Sequence, residues 1–400
     1  MNLSREKKNV AVLFVCQALF ITIWTMMTIV GGLTGAALAT NKALATLPFT
    51  AMIIGNAMAT VPAALLMKRV GRRAGFMVGT AICAAGAAIA AYAVYGGDFW
   101  LFVAGGLIMG IFAGFAQFYR FAAADTASPR FKSRAISLVV AGGLVAAVAA
   151  PGLTEWANEI SPVAFAGSFV VMAGLAALTS AVLAILDIPQ PEALGYGHSG
   201  RPLPQIIRQP VFVVAALGGM VSYGAMLLVM TASPLAIVAC GYDVNDAAFV
   251  IQGHVVGMFA PALFTGALIE RFGVLNIMLT GVVLLMACAA IALSGIDIVQ
   301  FWLAMLALGL GWNFAFIGAS TLLTESYTPE EREKVQGIND FLVFSTVALA
   351  SLSSGAILHF FSWNAVQWTV LPFVAVSGAA TLWLILRRRA ERQAVATGSG

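Results

Sequence analysis

Apolar residues run along this chain in long, nearly unbroken blocks, separated by short clusters of charge, proline and glycine. A membrane-spanning helix needs roughly 20 predominantly apolar residues, and blocks of that length recur from one end to the other. The pattern predicts twelve spans, near 9–35, 44–67, 75–95, 99–121, 133–153, 162–186, 210–232, 245–269, 274–294, 298–323, 337–360 and 364–386. The expected fold class is therefore an all-α membrane protein. The Lys7 and Lys8 cluster leads straight into an apolar run of full spanning length, so that run is expected to be the first span and not a cleaved leader. Ala396 to Gly400 reads as a flexible tail.

Composition agrees with the pattern. Of 400 residues, 61% are hydrophobic and 10% charged, with a mean hydropathy of +0.95, outside the range of soluble globular proteins. The basic residues fall almost wholly on one side of the threaded spans: Arg5, Lys7 and Lys8; Lys68, Arg69, Arg72 and Arg73; Arg130, Lys132 and Arg134; Arg201 and Arg208; Arg271; Arg332 and Lys334; Arg387, Arg388, Arg389 and Arg392. Lys42 stands alone on the other. Because Lys and Arg accumulate in cytoplasmic loops, both termini are expected in the cytoplasm, with the protein in a bacterial inner membrane. The isoelectric point near 9.0 is then a consequence of topology and implies no nucleic-acid partner.

The chain repeats itself. Asp125, Pro129 and Arg134 after span four align at an offset of 200 with Glu325, Pro329 and Lys334 after span ten. Met67-Lys-Arg-Val-Gly71-Arg-Arg-Ala-Gly75 precedes span three as Gly266-Ala-Leu-Ile-Glu270-Arg271-Phe272-Gly273 precedes span nine. The division expected is a six-helix bundle over 1–186, a cytoplasmic linker over 187–209 rich in Pro and Gly, a second bundle over 210–386 and a tail over 387–400. The Gly266 to Gly273 stretch resembles the G-x-x-x-D/E-R-x-G signature of the major facilitator superfamily, and the earlier loop resembles a degraded copy with Lys68 where an acid is usual. The resemblance implies two pseudo-symmetric bundles alternating about a central site, with the loops as latches. Asp340 is a candidate substitute partner for the first latch, and Arg120 is expected to pair with Asp125 or to face an anion, structural pairing being favoured.

Soft metal ligands stand out within the spans. Met226 and Met230 form the only M-x-x-x-M pair, on span seven, and His254 and Met258 the only H-x-x-x-M, on span eight. Chance supplies roughly 0.6 of the first motif and roughly 0.1 of the second. His254 lies about 14 Å into its span at 1.5 Å per residue, where an ionisable group is functional by default; the plainer reading is a neutral core histidine. Thioether and imidazole suit Cu(I), and a site without carboxylates suits hard cations poorly. Cys240, in the turn between the spans, is a further ligand, while Cys16, Cys83 and Cys288 read as core. His198 in the linker and His359 near an aromatic end read as solvated or interfacial.

These motifs resemble those of the CcoA-type copper importers of that superfamily. The resemblance implies a copper importer serving cytochrome oxidase assembly, with Met226, Met230, His254, Met258 and Cys240 as copper ligands, copper as substrate and not cofactor, and periplasmic or cytoplasmic copper chaperones as possible partners. The alternative is a carrier of a small organic molecule, a riboflavin-like vitamin or a drug, with Trp24, Tyr119, Tyr223, Trp312, Asn313 and Phe316 as a stacking and amide-lined cavity. A membrane enzyme is not expected: no nucleophile and base pairing, phosphate loop or catalytic carboxylate pair is visible.

Overall fold

A computed structural model describes residues 3–41, 44–188 and 200–398. Lys42, residues 189–199 of the expected linker with His198 among them, and the last two tail residues lie outside the described residues. Inside a bilayer every backbone N–H and C=O must find a partner within the protein, which leaves helices as the form for these apolar runs. Among the described residues eleven helices are long and apolar enough to cross a membrane, and one further pair bent by 42° makes a twelfth span if counted as one.

The chain clusters into two compact units, Met1–Ser199 with Pro329–Ala348, and Gly200–Thr328 with Leu349–Gly400. The first holds α1 (Leu3–Leu38), α2 (Leu47–Val70), α3 (Arg72–Gly96), α4 (Phe99–Ala116) continued by α5 (Tyr119–Asp125), α6 (Lys132–Ala141) continued by α7 (Gly143–Glu159), and α8 (Ala166–Leu183). In it α4 packs on α2 and α3, and α1 packs on α7 and α8. The second holds α9 (Leu203–Ile207), α10 (Pro210–Ala239), α11 (Val244–Phe259), α12 (Ala262–Phe272), α13 (Val274–Ser294), α14 (Ile298–Leu323) and α16 (Trp363–Gly398). Its centre is α14, against α10, α11 and α13. Helix α15 (Arg332–Phe360) is divided, residues 332–348 clustering with the first unit and 349–360 with the second.

Small residues set how closely the helices approach, as expected where packing rather than water drives association. A Cβ on Gly110 of α4 would collide with the Met52 carbonyl of α2, and one on Gly309 of α14 would collide with backbone of α11 at His254, Gly257 and Met258. The outward faces remain apolar, with Val148 at 80% and Trp368 at 64% exposure, a surface stable only in lipid.

Several expected boundaries change. The first and last spans extend to Leu3–Leu38 and Trp363–Gly398, because the flanking Lys, Arg, Glu and Ala are good helix formers and continue the helix past the apolar run. Spans four and five are interrupted at Gln117–Phe118 and at Gly142, and span eight breaks at Ala260–Pro261. Pro261 has no N–H to bond back along the helix. Gly71 and Gly273, the glycines of the repeated loop, each end one helix and start the next with φ of 86°. Only glycine adopts that backbone freely, which accounts for the residue in both copies. Asp243 and Asp297 cap the starts of α11 and α14, their backbone N–H groups donating to Asp246 at 3.1 Å and Gln300 at 2.9 Å in capping boxes.

Candidate functional site

Three aromatic side chains of the second unit that the sequence singles out come together. Trp312 and Phe316, one turn apart on α14, stack with centroids 5.1 Å apart and planes 14° from parallel. Tyr223 of α10 meets both edge-on, at 5.4 Å from Trp312 and 5.1 Å from Phe316. Phe259, the last residue of α11, adds a fourth ring 5.8 Å from Trp312. Trp312, Phe316 and Phe259 are buried, whereas Tyr223 is half-buried. The Trp312 indole N–H is buried without a hydrogen-bond partner. Flat apolar rings and an unsatisfied donor suit a planar, polar-edged aromatic ligand.

Asn313 is fully buried and already committed. Its Oδ1 accepts from the Thr265 hydroxyl at 2.6 Å and its Nδ2 donates to the Met258 carbonyl at 2.6 Å. It therefore bridges the break between α11 and α12 beside the aromatic cluster, and is not an open amide of a cavity. The other members of the expected stacking set lie in the first unit. Trp24 packs edge-on with Phe20 at 6.2 Å and Phe49 at 5.9 Å, and Phe20 in turn meets Phe112 at 5.6 Å. Tyr119 is fully buried against Phe76 at 4.7 Å. Phe112 and Trp312 are related by the same offset of 200 as Asp125 and Glu325, so α4 and α14 each carry an aromatic residue at this position.

Of the five candidate copper ligands, Met226, His254 and Met258 are buried, Met230 is half-buried, and Cys240 is exposed at the end of α10. His254 Nδ1 lies 2.8 Å from the Met305 carbonyl oxygen; a carbonyl only accepts, so Nδ1 carries the proton. That leaves Nε2 as a lone pair, buried and without a partner. A histidine held this way through Nδ1 has the tautomer and orientation of a metal ligand. Ser233 donates to the Met305 sulfur at 3.0 Å beside it. Among the described residues no group of three or more His, Cys, Asp or Glu side chains is arranged to hold a metal ion, so any such site would depend on thioethers.

The charged residues pair differently from expectation. Arg120 does not take Asp125. It donates to Asp340 Oδ1 at 2.7 Å, both side chains being buried. Asp125 is taken by Arg72 of the repeated loop at 2.9 Å, and Arg72 also donates to Gln336. Asp340 is thus not the substitute partner of the first latch; Asp125 fills that place because the end of α5 meets the start of α3. The equivalent acid in the second unit, Glu325, receives Arg388 at 2.6 Å.

The family model for the Major Facilitator Superfamily matches residues 13–260 and 215–400. The chain is 44% identical over 375 residues to the riboflavin transporter RfnT of Brucella anthropi, covering 92% of this chain and 94% of that protein. It is 28% identical to YdeG of Bacillus subtilis, an uncharacterized MFS-type transporter, over 82% of this chain and 80% of the other. Among solved structures, the transporter FucP superposes with a TM-score of 0.75 at 17% identity, covering 94% of this chain and 98% of that one.

Proposed function

The chain belongs to the major facilitator superfamily, and from that premise we propose that it carries riboflavin or a closely similar flat heteroaromatic vitamin across the membrane. That it is a multi-pass secondary transporter and not an enzyme follows from the family. The vitamin reading is carried by the 44% identity to a riboflavin transporter along nearly the full length of both chains. Support in the structure comes from the four-ring cluster of Tyr223, Phe259, Trp312 and Phe316, which offers stacking surface of the kind an isoalloxazine ring uses. The one-sided distribution of Lys and Arg supports a bacterial cytoplasmic membrane, with both termini on the basic, cytoplasmic side.

Copper import is the second reading, favoured by one observation: the buried, unpartnered Nε2 of His254, with Met226, Met230, Met258 and Cys240 as accompanying soft ligands. Uptake by liposomes containing the full-length protein separates the two. Saturable uptake of labelled riboflavin, displaced by unlabelled riboflavin and indifferent to Cu(I), is the expected result. Absence of saturable riboflavin uptake, together with copper uptake abolished by Met226→Leu and His254→Gln, would transfer the conclusion to copper.

A further inference from the structure

The first unit carries an apolar groove that the transport reading does not use. Its walls are Pro62 and Leu66 of α2 and Val78 and Ile82 of α3, and its floor is Ile111 and Phe115 of α4. Both wall helices lie tightly on α4 through a glycine: a Cβ on Gly55 would collide with the Leu107 carbonyl, and one on Gly79 with the Phe115 side chain. The groove is the space left between the two helices over the larger side chains of α4. It encloses about 470 Å³, and Pro62 and Val78 at its rim are exposed.

Length and chemistry narrow the occupant. From Gly55 to Leu66 the groove follows α2 for about 16 Å at 1.5 Å per residue, half of a hydrocarbon core roughly 30 Å thick, which is the depth of one leaflet. Every lining side chain is apolar. Left empty, such walls forfeit their dispersion contacts, and hydrocarbon is the filler a bilayer supplies. At the basic end, α2 continues to Arg69, seven residues beyond Pro62 and so on the same helix face, and α3 opens with Arg72 and Arg73. Lys68, Arg69 and Arg73 are exposed, and among the described residues none of the three has an acid partner. The nearby acid, Asp125, is held by Arg72 at 2.9 Å, with Arg332 at 4.0 Å.

We infer that this groove holds one acyl chain of an anionic phospholipid, with the lipid phosphate on Arg69. A guanidinium offers a phosphate two parallel N–H groups where a lysine offers a point charge, and Lys68 and Arg73 add attraction for a headgroup of net negative charge. A zwitterionic lipid fills the groove equally well but leaves part of that positive charge unanswered, so the headgroup and not the chain sets the preference. A free phosphate meets only the basic end and gains nothing from the apolar walls. The site belongs to the first unit and the aromatic cluster to the second, so the inference holds whichever cargo the protein carries.

Native mass spectrometry of the full chain in mild detergent, supplied with phosphatidylglycerol or phosphatidylcholine of identical acyl chains, tests it. Wild type is expected to hold one phosphatidylglycerol several-fold more tightly than phosphatidylcholine. Arg69→Gln should weaken phosphatidylglycerol about fivefold, the share of one basic side chain beside an anionic headgroup, and leave phosphatidylcholine unchanged. Val78→Trp, which fills the groove from its exposed rim, should weaken both. Glycerol phosphate, the same anion without chains, should not compete. Equal retention of the two lipids by wild type, phosphatidylglycerol binding unaffected by Arg69→Gln or by Val78→Trp, or competition by glycerol phosphate overturns the proposal. So does a dimer that Val78→Trp splits, because a second copy of the chain is then the occupant. A photoreactive diazirine at the end of the phosphatidylglycerol chain gives a reading on wild type alone where a variant folds poorly. Labelling within residues 55–66, 78–82 and 107–115 supports the groove; labelling elsewhere overturns it.

Discussion

Replacing Tyr223 with Leu should weaken riboflavin transport through binding, and the structure sets the size of the effect. Tyr223 is the half-buried member of the four-ring cluster, so its ring is the one a ligand reaches. An aromatic pair is worth about 0.5–1.5 kcal/mol beyond the area it buries, and with a tenfold change in affinity for every ~1.4 kcal/mol the loss of one ligand stack raises the half-saturating concentration roughly 2- to 13-fold. The same substitution removes the edge contacts to Trp312 and Phe316, about 1–3 kcal/mol of folding stability. Transport must therefore be compared at equal reconstituted protein, with melting followed separately. Tyr223→Phe keeps the ring and should stay within about 2-fold of wild type on the same ground. Initial rates of labelled riboflavin uptake across a concentration series measure both. A Tyr223→Leu protein with an unchanged half-saturating concentration refutes the cluster as a binding surface.

Arg72→Ala should lower the melting temperature in detergent, since it leaves Asp125 with only the more distant Arg332 at 4.0 Å; removing one partner of a buried pair costs at most about 3–5 kcal/mol, and removing Asp125 as well should recover part of the loss. Gly309→Ala forces a Cβ into the backbone of α11, an overpacking cost of about 1–3 kcal/mol, visible as earlier thermal aggregation; a melting curve matching wild type would contradict the close approach. Asn313→Leu orphans the Thr265 hydroxyl and the Met258 carbonyl at about 1–3 kcal/mol for each group left unsatisfied, and proteolysis near Pro261 should accelerate. His254→Gln should leave riboflavin uptake close to wild type, because the imidazole bonds only to Met305 and is fully buried; equal loss of riboflavin uptake in this variant would tie the histidine to the vitamin site.

The number of spans was legible because each depends on the apolar content of one contiguous stretch. The interruptions were less so. Pro261 carries a local signal, a missing N–H within a spanning run, but Gln117 and Gly142 carry none. The buried ion pairs were only half legible: Arg120 and Asp340 were visible as charges within spans, yet they lie 220 residues apart and nothing local shows which acid meets which base. The aromatic members on α10 and α14 could be read as residue types able to stack. Phe259 was missed, because its part in the cluster arises where α11 ends. Asn313 was read as an open amide, since its engagement depends on a carbonyl left over by a break that the apolar pattern conceals.

That break also gives span eight an electrical character that its side chains do not. Aligned peptide dipoles leave about half a negative charge at the carboxyl end of a helix and about half a positive charge at an amino end. With α11 ending at Phe259 and α12 starting at Ala262, both ends lie together well inside the bilayer, roughly 16 Å from the far end of α12 at 1.5 Å per residue. The Asn313 amide damps the negative end by donating to the Met258 carbonyl. What remains is a fixed dipolar field beside the aromatic cluster, built from main chain alone. Acidity cannot switch it off, and no single side-chain replacement within α11 or α12 deletes it.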